Sequence, residues 1–262
     1  MSHNPEMKRI LKIVGLIVLL IVVGVGTLVA VTFMGRRAVV DGQEVNGIRV
    51  VADGFTSFSV VPIDSRQVVL IDAGNDQAGT AVLAELTRRG IGPEAVSTIF
   101  LTHGHPDHTG AVHLFPNAQV MALEAEVPLV EGRTGSKGPV TRLFPVSPTG
   151  ITVNRALQGG DVVTVGSTPI RVYALPGHTA GSAAYLVNGV LLIGDAGDIA
   201  SDGSLQGAPW IFTDSQPEDR ASLVRLEQQL VADGQDVKAI VPAHSGAVEG
   251  GAALVAFAQA NR

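Results

Sequence analysis

Thr-His-Gly-His-Pro-Asp-His-Thr-Gly, residues 102–110, places three of the chain's seven histidines and an aspartate within six positions, His103 to His108. Imidazole nitrogen and carboxylate oxygen are good ligands for Zn²⁺ and similar ions, and a tight loop lets several of them converge on one point. In His103-x-His105, two side chains of a turning segment can reach one ion. Asp107 and His108, just past Pro106, can face a second. Chance produces such a pattern on the order of once in several thousand chains of this kind, so a metal-binding loop outweighs a solvated one.

Working outward, short apolar runs alternate with polar or helical stretches from Val40 onward. Val68–Ile71, Thr98–Leu101, Ile170–Ala174, Val190–Ile193 and Ala239–Val241 read as buried strands. Each ends at a residue with chemistry to offer: Asp72, His103, His178 after Leu-Pro-Gly, Asp195 after Gly, and His244 after Pro-Ala. Helices are expected at Gln77–Arg89, at Gln216–Asp233 with Asp214 or Ser215 as cap and Pro217 in the first turn, and at Gly250–Ala260. Strand followed by helix, repeated, predicts an α/β fold with helices covering the sheet faces. In such folds ligands gather beyond the carboxyl ends of the strands, where all five polar residues fall.

Two ions need more ligands than the loop supplies, since each site takes three or more protein groups. His178 and His244 follow apolar strands and are the natural additions, and Asp195 can bridge two ions. His113 has no strand-end placement and reads as structural or surface.

Composition is consistent with one catalytic domain and a short appendage: 262 residues at 46% hydrophobic content can bury a full core. With no cysteine, neither a thiolate nor a disulfide is available. The appendage is N-terminal. Ile13 to Met34 runs 22 residues without a charge, between Lys8, Arg9 and Lys12 on one side and Arg36 and Arg37 on the other. That length can cross a hydrocarbon core of about 30 Å. A cleavable signal peptide would have an apolar region of about 7–15 residues and a small-x-small site, so an uncleaved transmembrane helix (residues 13–34) after a short basic cytoplasmic tail (residues 1–12) is expected. The basic residues lean toward a tail inside and the remaining chain outside, on the periplasmic or extracellular face.

The first 37 residues hold five of the 18 basic and one of the 24 acidic residues, leaving 13 against 23, a net charge of −10. A domain with that balance repels nucleic acid, so no nucleic-acid partner is expected. A loop at Gly132–Gly150 carries Arg133, Lys137 and Arg142 among glycines and reads as solvated rather than as a lid. Trp210, Ile211 and Phe212 read as core packed under the following helix.

The set Leu-Ile-Asp72-Ala-Gly, Thr-His103-Gly-His105-Pro-Asp107-His108-Thr-Gly, Pro-Gly-His178-Thr-Ala-Gly-Ser, Gly-Asp195 and Pro-Ala-His244 resembles the metallo-β-lactamase fold superfamily, with a ligand set similar to glyoxalase II and lactonases. The resemblance spans about Val40 to Arg262 and implies a four-layer αβ/βα sandwich over residues 38–262, preceded here by one transmembrane helix. It implies that His103, His105 and His178 hold a first metal, that Asp107, His108 and His244 hold a second, and that Asp195 bridges them. Asp72 resembles the aspartate that braces the histidine loop without being a ligand. Two zinc ions per chain are implied, with iron or manganese as other metals the ligand set accepts.

The implied activity is hydrolysis of a small-molecule substrate: a hydroxide between the metals attacks a carbonyl of an ester, thioester or lactone, oriented by Asp107. The cysteine-ligated β-lactamases place Cys where this chain has Asp195, which excludes that subclass. Residues 196–209, AGDIASDGSLQGAP, lack the segment usual in glutathione thioesterases. A cysteine-free β-lactam hydrolase and a mononuclear non-haem iron enzyme, similar to sulfur dioxygenases, are the alternative readings. Oligomeric state is not legible.

Overall fold

The computed structural model describes residues 5–262; His3 and the start of the basic tail lie outside the described residues. Two compact units are present, Met1–Arg36 and Arg37–Arg262. The first is built on α1 (Pro5–Phe33), an exposed helix long and apolar enough to cross a bilayer by length and composition.

The second unit opens with a seven-stranded sheet: β1 (Glu44–Val45), β2 (Ile48–Asp53), β3 (Thr56–Pro62), β4 (Val68–Ile71), β5 (Val96–Phe100), β6 (Gln119–Leu123) and β7 (Arg155–Leu157), in that spatial order. The first four strands pair antiparallel, and β4 to β7 pair parallel. Between them lie α2 (Thr80–Arg88), α3 (Pro106–Thr109) and α4 (Val127–Val130). A six-stranded sheet follows, built from β8 (Val162–Val165), β9 (Thr168–Ala174), β10 (Ala183–Val187), β11 (Val190–Gly194), β14 (Ala239–Pro242) and β15 (Val248–Glu249). Its spatial order is β15-β14-β11-β10-β9-β8. A small ribbon of β12 (Gly197–Ile199) and β13 (Leu205–Gly207) and the helices α5 (Gln216–Ala232) and α6 (Ala252–Ala260) complete the unit.

The strand sequences explain the layers. Side chains on a strand alternate between faces, so a continuous apolar run means that both faces are covered. In Val68-Val69-Leu70-Ile71, Val69 and Ile71 enter a core shared with Tyr185, Leu192 and Val241 of the second sheet. Val68 and Leu70 face the opposite way, onto Val82 and Leu86 of α2. Val190 and Leu192 likewise join the central core, while Leu191 and Ile193 meet Leu223 and Leu226 of α5 and Phe257 of α6. The result is helix, sheet, sheet, helix: the four-layer α/β sandwich expected from the sequence.

Local differences from the sequence reading have physical causes. Instead of Gln77, α2 begins at Thr80, because Gly79 sits at φ 64° and breaks the helical path, and the Asp76 carboxylate accepts from both Thr80 N–H and Thr80 Oγ1–H. Asp214 does not cap α5; its Oδ1 accepts from Lys137 N–H and Gly138 N–H. Trp210 is not core, being half exposed, whereas Ile211 is buried.

Candidate metal centre

Five chain segments deliver the polar residues to one end of the two sheets. Asp72 follows β4 in a left-handed conformation, φ 63°. That turn aims its carboxylate at the neighbouring strand end: Thr102 N–H donates to Oδ1 at 2.7 Å and Thr102 Oγ1–H to Oδ2 at 2.8 Å. The histidine loop is thereby held at both of Thr102's donors. Pro106 then opens α3, whose first turn carries Asp107 and His108. From the second sheet, Gly194 at φ 53° lets β11 approach so closely that a Cβ there would lie 2.5 Å from Thr102 Oγ1. The next residue is Asp195.

Each of the five clustered histidines is held by one ring nitrogen and presents the other. His108 Nδ1–H donates to Asp72 Oδ2 at 2.8 Å, and His103 Nδ1 lies 3.1 Å from Thr102 Oγ1. His105 is held through Nε2 by Ser136 Oγ at 2.7 Å, His178 through Nδ1 by Thr213 Oγ1 at 3.4 Å, and His244 through Nδ1 by the Phe55 carbonyl at 2.8 Å. Such outer partners set tautomer and ring orientation in metal-binding histidines.

The inner nitrogens converge. His103 Nε2 lies 2.9 Å and His178 Nε2 3.1 Å from His105 Nδ1, too close for three lone pairs to share without a proton or a cation between them. His244 Nε2 lies 3.0 Å from Asp195 Oδ2 and 3.2 Å from Asp107 Oδ2. His108 Nε2 and Asp195 Oδ1 approach to 3.2 Å, yet both are buried and without a hydrogen bond. In two groups, His103-His105-His178-Asp195 and Asp107-His108-Asp195-His244, one ligand atom per residue lies within 4.8 Å of the others. Asp195 belongs to both. Orphaned inner atoms, anchored outer atoms and an all-imidazole-and-carboxylate donor set fit divalent metal.

Electrostatics differ between the groups. Burial lowers the proton affinity of His103 and His105 and pushes that of His178 down to about 3, leaving neutral imidazoles. Burial opposes charge on His108 and His244 as well. There the carboxylates of Asp195 and Asp107 outweigh it, raising His108 well above the usual imidazole range and His244 to about 10.

The remaining histidine of the unit, His113, is exposed, with Nδ1 3.2 Å from the Gly110 carbonyl. Glu126 escaped the sequence reading. Buried, it joins the two loops that carry the first group: Oε1 accepts from Gly104 N–H at 2.8 Å, and Oε2 accepts from Thr179 Oγ1–H at 2.9 Å and Gly181 N–H at 2.8 Å. Burial raises its pKa to about 7. Nothing in the local sequence marks it, because its partners lie 22 to 55 residues away.

Comparison with known proteins bears on the same residues. Residues 52–244 match the family model of the metallo-beta-lactamase superfamily. A metallo-beta-lactamase domain-containing protein 1 of Xenopus laevis is 26% identical over 195 residues, covering 72% of this chain and 73% of that protein. A hydroxyacylglutathione hydrolase of Idiomarina loihiensis is 28% identical over 153 residues; the match covers 58% of this chain and about half, 51%, of the relative. Among solved structures, a subclass B3 metallo-beta-lactamase of Bradyrhizobium japonicum superposes with a TM-score of 0.58 at 22% identity, over 87% of this chain and 83% of that one. That last likeness is one of fold.

Proposed function

The chain belongs to the metallo-beta-lactamase superfamily and is a metal-dependent hydrolase of a small-molecule substrate, and on that premise we propose a membrane-anchored dizinc enzyme that cleaves an ester, thioester or lactone. The observation that carries this reading is the sharing of Asp195: two groups of ligand atoms, each complete enough for an ion, meet at one carboxylate. We assign His103, His105 and His178 to one zinc, Asp107, His108 and His244 to the other, Asp195 to both, and Asp72 to support.

Zinc bound there would supply a water-derived nucleophile near neutral pH and a Lewis acid for the carbonyl oxygen. The chain's own residues do the rest. Asp107, whose side chain is 18% exposed and which is held below the usual carboxylate range despite burial by the charges of His108 and His244, is the ionised group reachable from solvent. It orients the attacking water and carries a proton toward the leaving oxygen or sulfur. Thr102, Asp72 and Glu126 keep the loops in place, so no reorganisation accompanies the charge change. The hydroxyacylglutathione hydrolase relative supports a thioester among the substrates, whereas residues 196–209 do not favour glutathione.

The anchor assignment rests on α1, with residues 38–262 as the hydrolase domain on the outer face of the membrane. The test is elemental analysis of the full chain in detergent alongside a panel of thioesters, homoserine lactones and nitrocefin, with and without chelator. Two zinc ions and chelator-sensitive turnover of an ester, thioester or lactone are expected. One iron per chain, or nitrocefin as the sole substrate turned over, would overturn the assignment.

A further inference from the structure

The loop that the sequence suggested was merely solvated has an unusual surface. Residues 132–150 contain no acidic residue, in a domain whose net charge is −10. Arg133 is paired with Glu131 at 2.9 Å, but Lys137 and Arg142 project into solvent. Directly after Arg142, three of four positions expose large apolar side chains: Leu143 at 75%, Phe144 at 51% and Val146 at 57%. Val162, Val231 and Val255, exposed elsewhere in the domain, have no exposed large apolar neighbour in sequence. Burying such a cluster is favourable wherever an apolar phase is within reach, and exposed cations in a segment that has no acidic residue of its own favour a negatively charged surface.

The loop is also fastened to the rim of the metal centre. Ser136 holds His105, Asp214 accepts from the N–H groups of Lys137 and Gly138, and Val140 N–H donates to the Ile211 carbonyl at 2.9 Å. The adjoining Trp210 is 50% exposed. The chain enters the domain against the segments that follow Asp195 and His244. Arg37 N–H donates to the Ile199 carbonyl and the Arg37 carbonyl accepts from Gly246 N–H, both at 2.8 Å. Gly246 lies two residues past His244, Ile199 four past Asp195, and only residues 34–36 separate Arg37 from the end of α1.

We propose that Lys137, Arg142, Leu143, Phe144, Val146 and Trp210 form an interfacial edge that docks on the anionic phospholipid surface in which the anchor is embedded. The apolar side chains enter below the headgroups while Lys137 and Arg142 pair with phosphates, the arrangement of basic and apolar residues that interfacial segments use. Docking turns the rim of the metal centre toward the lipid, so an amphiphilic substrate reaches the site from the bilayer surface. The inference rests on the anchored part of the reading above and not on which bond is cleaved.

Trp210 is the chain's only tryptophan, so its emission reports the edge alone. The full chain is reconstituted in vesicles of three parts phosphatidylcholine to one part phosphatidylglycerol, with bromine on the acyl chains as quencher. A blue shift and strong loss of Trp210 emission are expected. The double variant Leu143→Asp, Phe144→Asp should restore emission while still floating with the vesicles and turning over a water-soluble substrate within about twofold of the parent. Lys137→Glu with Arg142→Glu should weaken quenching in these vesicles and not in pure phosphatidylcholine. A chain that floats and hydrolyses but shows unquenched Trp210, or quenching indifferent to Leu143→Asp and Phe144→Asp, overturns the edge and leaves the hydrolase reading intact. Failure to float overturns the anchor and the edge together. An unquenched Trp210 combined with a raised KM for long-chain esters in the double variant would assign these side chains to substrate, again overturning the docking surface.

Discussion

The two candidate ligand groups are made of the same residue types and share Asp195, yet they differ in exposure and charge. His103, His105 and His178 are buried, and their surroundings favour the neutral ring. In the other group, His244 and Asp107 are partly open to solvent, and carboxylates favour charged imidazole on His108 and His244. The supports differ too. Glu126 ties together the loops of the first group from within the fold, whereas Asp72 steadies the second through His108 and reaches the first only through Thr102. The difference is one of access: the first three histidines are closed off from solvent, whereas Asp107 and His244 keep part of their surface open to it.

The largest effect should come from the residue that belongs to both. Asp195→Ala, and His105→Ala beside it, are expected to lower kcat/KM by at least about a thousandfold, the scale of removing a main electrostatic element of a hydrolytic site. Far-ultraviolet circular dichroism should remain that of the parent. Full activity in both variants would remove the dinuclear assignment.

His244→Ala tests whether the groups are separable. Its solvent-accessible position predicts that the second metal is lost and the first retained, so elemental analysis should give about half the parent's metal content, against near-complete loss in His103→Ala. Stepwise chelation of the parent should show a fast and a slow phase. Simultaneous loss would show that the two groups act as one inseparable site.

Smaller effects are expected from the supports. Asp72→Ala and Glu126→Gln should each reduce metal affinity or activity by about 10–100-fold, the range for partners that orient ligands. Asp72→Ala should weaken mainly the second metal and Glu126→Gln mainly the first, as read by competition with a chromogenic chelator.

The smallest effect lies away from the ligands. Asp219 is fully buried at the start of α5; its Oδ2 accepts from Ala208 N–H at 3.0 Å, its Oδ1 has no partner, and burial raises its pKa from 3.8 to about 7. A carboxyl whose proton is held more tightly in the fold than in the unfolded chain stabilises below the unfolded pKa, and that contribution disappears as pH rises from about 4 through about 7. Asp219→Asn keeps the acceptor and removes the titration. Its melting temperature should vary less than the parent's between pH 4 and pH 8, by a few degrees, since 1 kcal/mol shifts a domain of this size by about 2–4 °C.

Much of this was legible in sequence for a simple reason. Buried strands of a doubly covered sheet are continuous apolar runs, so β4, β11 and β14 stand out, and each is followed within three residues by its polar cargo. The edge strand β7 and the two ribbon strands β12 and β13 are three residues each, with no run to read. Trp210 departs from the usual packing of apolar residues ahead of a helix: it is half exposed, whereas Ile211 next to it is buried. Ser136, Thr213 and the Phe55 carbonyl could not be found, since they meet their histidines across 31, 35 and 189 residues.

The kind of chemistry on offer is written in the residues themselves: five histidines and two aspartates in loops and turns beyond apolar strands, without a cysteine, offer nitrogen and oxygen donors in one α/β unit. It took the folded arrangement to set which nitrogen of each ring faces inward and which group is open to solvent, and to turn the basic and apolar residues of loop 132–150 outward beside the site. A ligand's type is a covalent property carried by its own residue. Its tautomer, exposure and charge are set by partners tens to hundreds of positions away, which no local pattern encodes.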